Sequence, residues 1–155
     1  EMLVLDQQQF HHPIEDVEPV VSVEEVIEAQ EAIKQTYVSP AVKRYVVELV
    51  ERTRQHPDVY LGASPRGSLT LYRTGQAWAA MHGRDYVLPD DVKTLALPAL
   101  AHRIILSPRA RLRELTAEHV VQQILDSLPV PGGDVTDEVW QKATESDEAK
   151  EKETV

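Results

Sequence analysis

The sequence predicts an all-α fold, a small bundle of about five helices, and three observations carry that reading. Capping signals built on Ser or Thr, twice as Ser-Pro, stand just before the apolar stretches. Within those stretches apolar residues return at three- and four-residue spacing, the period of a helix with one buried side. The connections are short and hold little that reads as strand. A chain of 155 residues suits one domain with appended segments, and 42% apolar residues suffice for a core. Aromatics are only 5%, so that core has to be built from Val, Leu, Ile and Ala.

The elements follow in order. Residues 1–21 read as an extended linker, because Pro13 and Pro19 interrupt helix and bias the residue before them toward extended backbone. The first helix, about 22–35, opens on Ser22 and Glu25, which fit a reciprocal capping box. Val23, Val26, Ile27 and Ile33 give it a rough apolar stripe, while Glu24, Glu25, Glu28 and Glu31 face water. The second opens on Ser39-Pro40 and runs through Val42, Tyr45, Val46, Leu49 and Val50 until His56-Pro57-Asp58 stops it. The third repeats the signature at Ser64-Pro65 and ends at Gly83. Gly75 inside it predicts a close helix crossing or is merely tolerated. A short extended piece, Arg84–Leu88, leads to a fourth helix from Pro89, which Pro98 should kink or split. Ile104, Ile105 and Leu106 are too apolar for an exposed loop and too few for a long helix. A last helix is capped by Thr116 and carries Val120, Val121, Ile124, Leu125 and Leu128. The helical body is therefore expected over 22–128. Residues 129–155, opening on Pro129-Val130-Pro131-Gly132-Gly133, are expected to be a breaker cluster and a disordered acidic tail. Val139 and Trp140 are the two residues of that tail able to dock back.

Charge divides the chain in the same way. Residues 1–31 hold nine acidic residues and no basic one, residues 32–133 carry a net +4, and residues 134–155 a net −5. The total of −10 argues against a general nucleic-acid binder, which needs surplus Lys and Arg. No cysteine is present, so disulfides, thiolate metal sites and a Cys nucleophile are excluded. No apolar run reaches the ~20 residues that span a bilayer. Glu1-Met2-Leu3-Val4 has neither basic flank nor long apolar stretch, so it is no signal peptide, and a cytoplasmic location is expected. A start at Glu1 is what a piece of a longer protein would show.

Most catalytic signatures are missing. There is no G-x-x-x-x-G-K-[ST], no H-E-x-x-H and no G-x-S-x-G. His11-His12 is a metal pair on paper, but adjacent side chains point apart and two ligands fall short of a site, so no metal is expected. His82, His102 and His119 are scattered and read as ordinary surface or core residues.

One constellation stands out: Leu61-Gly62-Ala63-Ser64-Pro65-Arg66. The glycine allows a turn, Ser64 and Pro65 fix a helix start, and Arg66 projects from the first turn. Free N–H groups and the positive end of the helix favour an anion there. A guanidinium adds a planar, permanently charged fork suited to phosphate oxygens. The competing reading is an ordinary surface arginine, at a place slightly unfavourable for a cation. Arg73 lies seven residues on, on nearly the same side. It can assist a phosphate or a neighbouring subunit, or pair within the bundle. Arg103 follows a helix end, where dipole stabilisation and a subunit interface compete as explanations.

Gly62-Ala63-Ser64-Pro65-Arg66-Gly67-Ser68-Leu69, followed by Gly83-Arg84-Asp85-Tyr86-Val87-Leu88-Pro89-Asp90-Asp91-Val92-Lys93, resembles the C-terminal lid of MoxR-type AAA+ ATPases. Ala101-His102-Arg103-Ile104-Ile105-Leu106 is similar to that family's closing segment, and Val20–Glu25 to its entry into the first lid helix. The resemblance covers roughly 18–107. It implies an α-helical lid beside an N-terminal α/β nucleotide-binding core of the same chain. Arg66 would be the sensor-2 arginine acting on the γ-phosphate of ATP, with Gly62, Ala63 and Ser64 as the other nucleotide-contacting residues. It also implies assembly with neighbouring subunits into a ring, usually hexameric, chaperone-like remodelling, and partners with von Willebrand A domains. The departures are large. Walker A, Walker B, sensor 1 and the arginine finger are absent, so ATP with Mg is expected in the parent protein and not on this chain alone. Residue 67 is Gly where alanine is common, expected only to loosen the helix start. Two other readings stand beside this one. A long central helix, a short strand and a D-D-V helix also resemble a histone-fold module that pairs, although such a dimer has no reason to place G-A-S-P-R at the helix start. A bare helical module with acidic arms would instead capture a basic partner in a salt-sensitive way.

Overall fold

A computed structural model describes residues 1–8 and 12–131 of the chain. Its helices are α1 (Met2–Gln7), α2 (Val23–Ile33), α3 (Pro40–Gln55), α4 (Pro65–Met81), α5 (Pro89–Leu100), α6 (Pro108–Leu112) and α7 (Ala117–Ser127). Two short strands, β1 (Val59–Leu61) and β2 (Ile105–Leu106), and 3-10 turns at Pro13–Asp16 and Ala101–Arg103 complete the described elements.

Local chemistry sets most helix starts. Ser22 accepts from the Glu25 N–H, and the Glu25 carboxylate accepts from the Ser22 N–H at 2.6 Å, so both members of the capping box are in place. The Ser22 N–H, and with it the Ser22 hydroxyl, donate to the Glu25 carboxyl and hold it below the usual carboxylate range. Ser39 caps α3 through the Val42 N–H, Ser107 caps α6 through the Ala110 N–H, and Thr116 caps α7 through the His119 N–H. At α5 the cap runs backward: Asp91 accepts from the Leu88 N–H at 2.8 Å.

The core lies where α3, α4, α5 and α7 meet, around the fully buried Leu49, Val50, Leu71, Val92, Leu100, Val120 and Val121. It closes within one chain, whereas a histone-like pair would need a second copy to cover its long helix. The buried side of α4 mixes small residues, Gly67, Gly75 and Ala79, with Leu71 and Gln76. A Cβ on Gly67 would come within 3.1 Å of Leu100 of α5, and one on Gly75 within 3.3 Å of Val87. Gly67 thus serves a close helix crossing rather than a loosened start, and Gly75 makes room for the segment entering α5.

Three expectations need correction, and two are given a partner. The stretch 1–21 is not wholly extended, since it contains α1 and a 3-10 turn. The stripe of α2 is present but no residue of that helix is buried. Pro98 does not split α5, which runs unbroken from Pro89 to Leu100. It sits so near the end that its missing N–H affects only the last turn, and the chain tightens into the 3-10 turn Ala101–Arg103. Ile105 and Leu106 form β2, antiparallel to an unforeseen β1. The extended piece before α5 forms one parallel bridge, Tyr86 with Tyr37. Residues 132–155, including Val139 and Trp140, and His11 lie outside the described residues.

Candidate functional site: the start of α4

The segment entering α4 is held from behind by the end of α3. Thr53 is fully buried; its hydroxyl donates to the Val50 carbonyl at 2.6 Å and accepts from the Ala63 N–H at 2.9 Å. The Arg54 guanidinium donates to the Ala63 carbonyl at 2.9 Å. Ala63 is therefore buried with both backbone groups engaged. Gly62 runs against the α3 backbone so tightly that a Cβ would lie 2.6 Å from the Arg54 nitrogen and 2.7 Å from the Thr53 carbonyl carbon. Its role is close approach, not the free turn expected from sequence: the one glycine with positive φ among the described residues is Gly83, which ends α4.

In front of this anchor, Ser64, Pro65 and Arg66 are exposed. Ser64 is the N-cap of α4, but its hydroxyl makes no capping bond; the Gly67 N–H turns instead to the Ser64 carbonyl at 2.7 Å. The Arg66 guanidinium has no hydrogen bond or ion pair among the described residues. Arg73 is exposed on the same side of α4, also without an ion pair among the described residues, with Leu69 exposed between them. The internal pairing open to Arg73 from sequence is thus not made. Arg103 donates through Nε to the Ala99 carbonyl at 2.9 Å, which is the helix-end role.

Sequence reasoning missed Thr53 and Arg54. Their partners lie about ten residues away, so no local pattern marks them. It also missed the side-chain ties that hold the rest of the body. Asp91, almost fully buried, takes Arg84 in a two-pronged pair at 2.7 and 2.8 Å, which raises the Arg84 pKa. The buried Gln76 amide donates to the Lys34 and Thr36 carbonyls, tying α4 to the end of α2. The histidines are ordinary. His12 accepts from the Ile14 N–H, His82 bonds the Trp78 carbonyl at a helix end, and His119 pairs with its own cap Thr116. Among the described residues no group of three or more His, Cys, Asp or Glu could hold a metal ion, and no helix is long and apolar enough to cross a membrane.

The profile of the AAA lid domain family matches residues 51–124, which span Thr53, Arg54 and the whole start of α4. YeaC, an uncharacterized protein of Bacillus subtilis, is 44% identical over 131 residues, covering 84% of this chain and 41% of its own length. The chaperone MoxR1 of Mycobacterium tuberculosis is 31% identical over 121 residues, covering 72% of this chain and 32% of its own. The crystal structure of a candidate ATPase from Cytophaga hutchinsonii superposes with a TM-score of 0.74 at 29% identity, covering 84% of this chain and 42% of that one. The chain thus spans about two fifths or less of each relative's length. An α-helical body opened by G-A-S-P-R, the match of the lid profile and the MoxR relatives agree: this chain belongs to the MoxR-type AAA+ ATPases and is their lid domain.

Proposed function

We propose that this lid reads whether ATP is present in a nucleotide-binding core of the same protein, and that Arg66 is the reading group, a sensor-2 arginine. The observation that carries this is the unpaired, exposed guanidinium on the first turn of α4, beside a helix start whose serine cap is unused. An anion fits there: free N–H groups, the positive helix end and a permanent cation converge. ATP with Mg, bound by the core, supplies the phosphoanhydride that is broken. Arg66 donates charge-assisted hydrogen bonds to the γ-phosphate, with the Ser64 hydroxyl as a neighbouring donor. Gly62 and Ala63 contribute by fixing where the loop lies, because α3 grips both. Arg66 loses its partner when the γ-phosphate leaves, and the preferred orientation of the lid on the core changes with it. That change drives chaperone-like remodelling or maturation of partner proteins, a reading supported by the relative named a chaperone. The same reading includes a ring of subunits, hexameric by resemblance, in the cytoplasm, and partners with von Willebrand A domains.

The test is Arg66→Ala in the protein with core and lid joined. ATP turnover should fall about a hundredfold, the scale for removing one donor aimed at developing charge. The thermal melt of the lid should not move, because the Arg66 side chain makes no hydrogen bond or ion pair among the described residues and its carbonyl bond to the Thr70 hydroxyl survives the change. Unchanged turnover would reject the assignment.

A further inference from the structure

Ala63 is the last residue before the N-cap of α4, and its two backbone groups are tied to α3 by side chains of different character. Thr53, which holds the N–H, is fully buried. Arg54, which holds the carbonyl through Nη1 at 2.9 Å, has a side chain 40% exposed. The two ordinary reasons for an arginine at this point are weak. Its one ion pair among the described residues, to Glu51, spans 4.0 Å, and an exposed pair so long contributes little. The end of α3 already has a cation in Arg52, which is paired with Glu48 at 2.8 Å. Arg54 instead reaches out of its own helix, to a carbonyl nine residues on.

We propose that Arg54 is a positioning residue for Arg66: its bond to the Ala63 carbonyl sets the direction in which Arg66 leaves the start of α4. This rests on the phosphate-sensing role proposed for Arg66. The chain between Ala63 and Arg66 is short and has few soft torsions. A peptide unit is planar, so the bond to the Ala63 N–H fixes the plane on one side of its Cα and the bond to its carbonyl fixes the plane on the other. Ser64 precedes a proline and is confined to extended backbone, at φ −74° and ψ 171°. The Pro65 ring locks its own φ. The orientation of the Ala63 carbonyl is therefore carried forward to Arg66 with little slack. The two ties divide the task. Removing the Thr53 hydroxyl leaves a buried N–H without a partner, which costs stability. The Arg54 side chain is part-exposed, so removing its guanidinium lets water reach the carbonyl, which replaces the bond without restoring its direction. Arg54 thus gives precision to the site more than stability to the fold.

The test is steady-state ATP turnover of the protein with core and lid joined, in two variants. Arg54→Met keeps an apolar stem and removes the donors and the charge; Arg54→Lys restores one donor. Arg54→Met should lower kcat about tenfold, because a misplaced group costs less than a missing one, and KM for ATP should stay within about twofold of wild type. Arg54→Lys should recover most of the loss. The melting temperature of the 155-residue chain should move by less than about 4 °C in both variants. Added to Arg66→Ala, Arg54→Met should lower turnover no further, since Arg54 acts only through Arg66. Full turnover in Arg54→Met beside impaired turnover in Arg66→Ala would overturn this assignment and leave the role of Arg66 standing. Full turnover in Arg66→Ala would reject both. A loss that persists in the Arg66→Ala background would mean that Arg54 acts on its own, and a large drop in melting temperature would reduce it to a structural tie; either result overturns the positioning role.

Discussion

Helices α3 and α4 begin on the same dipeptide, Ser39-Pro40 and Ser64-Pro65, and are finished differently. The Ser39 hydroxyl accepts from the Val42 N–H and the residue is half-buried; Ser64 is exposed and its hydroxyl bonds none of the helix N–H groups. The start of α3 is stabilised by its own cap. The start of α4 draws its stability from the residues before it, where Thr53 and Arg54 grip Ala63. A helix end secured from behind can leave its front free. That division of labour is what the sensing role proposed for Arg66 would require, a side chain fixed in place yet uncommitted.

Breaking the rear support should therefore have the largest effect. Gly62→Ala places a Cβ on α3 backbone that cannot move aside, so about 3 kcal/mol of stability should be lost. At about 4 °C per kcal/mol, the melting temperature should drop by more than 10 °C. A melt within 2–3 °C of wild type, about the scale of a surface change, would show that the loop has room to retreat. Thr53→Val keeps the shape and removes the oxygen. The Ala63 N–H is then buried without a partner, which costs about 2 kcal/mol in urea unfolding. An unchanged midpoint would mean that the hydroxyl does not hold the loop.

How much of this was legible depends on the range of each interaction. The Ser22–Glu25 box, the Ser-Pro starts and the apolar sides of α3 and α7 are patterns within one or two turns, and they stand where the sequence placed them. The start of α6 carries the same Ser-Pro signal at Ser107-Pro108, yet five residues with three cations around it show no apolar period. Val59-Tyr60-Leu61, between Pro57 and Gly62, is too short to show a period of its own. Only β2, some 45 residues later, makes it a strand. The exposed Arg66 was accessible from sequence because a helix start is local. Its support was not, because Thr53 looks like any residue near a helix end, and Gly62 looks like a turn until the α3 backbone is seen beside it.

The smallest effect is the sharpest test of the comparison. Ser39→Ala should cost about 1 kcal/mol, the usual loss for removing a helix cap. Ser64→Ala, the same chemical change at the same point of a matching dipeptide, should cost less than about 0.5 kcal/mol, the range of a surface substitution. Urea unfolding of the two variants, measured side by side, isolates the difference because the residue removed and the proline that follows are identical. Equal losses would mean that Ser64 caps α4 in solution, and its N-terminal N–H groups would then already be occupied. A loss confined to Ser39 would mean that the Ser64 hydroxyl does not cap α4 and is free for the anion proposed to meet Arg66.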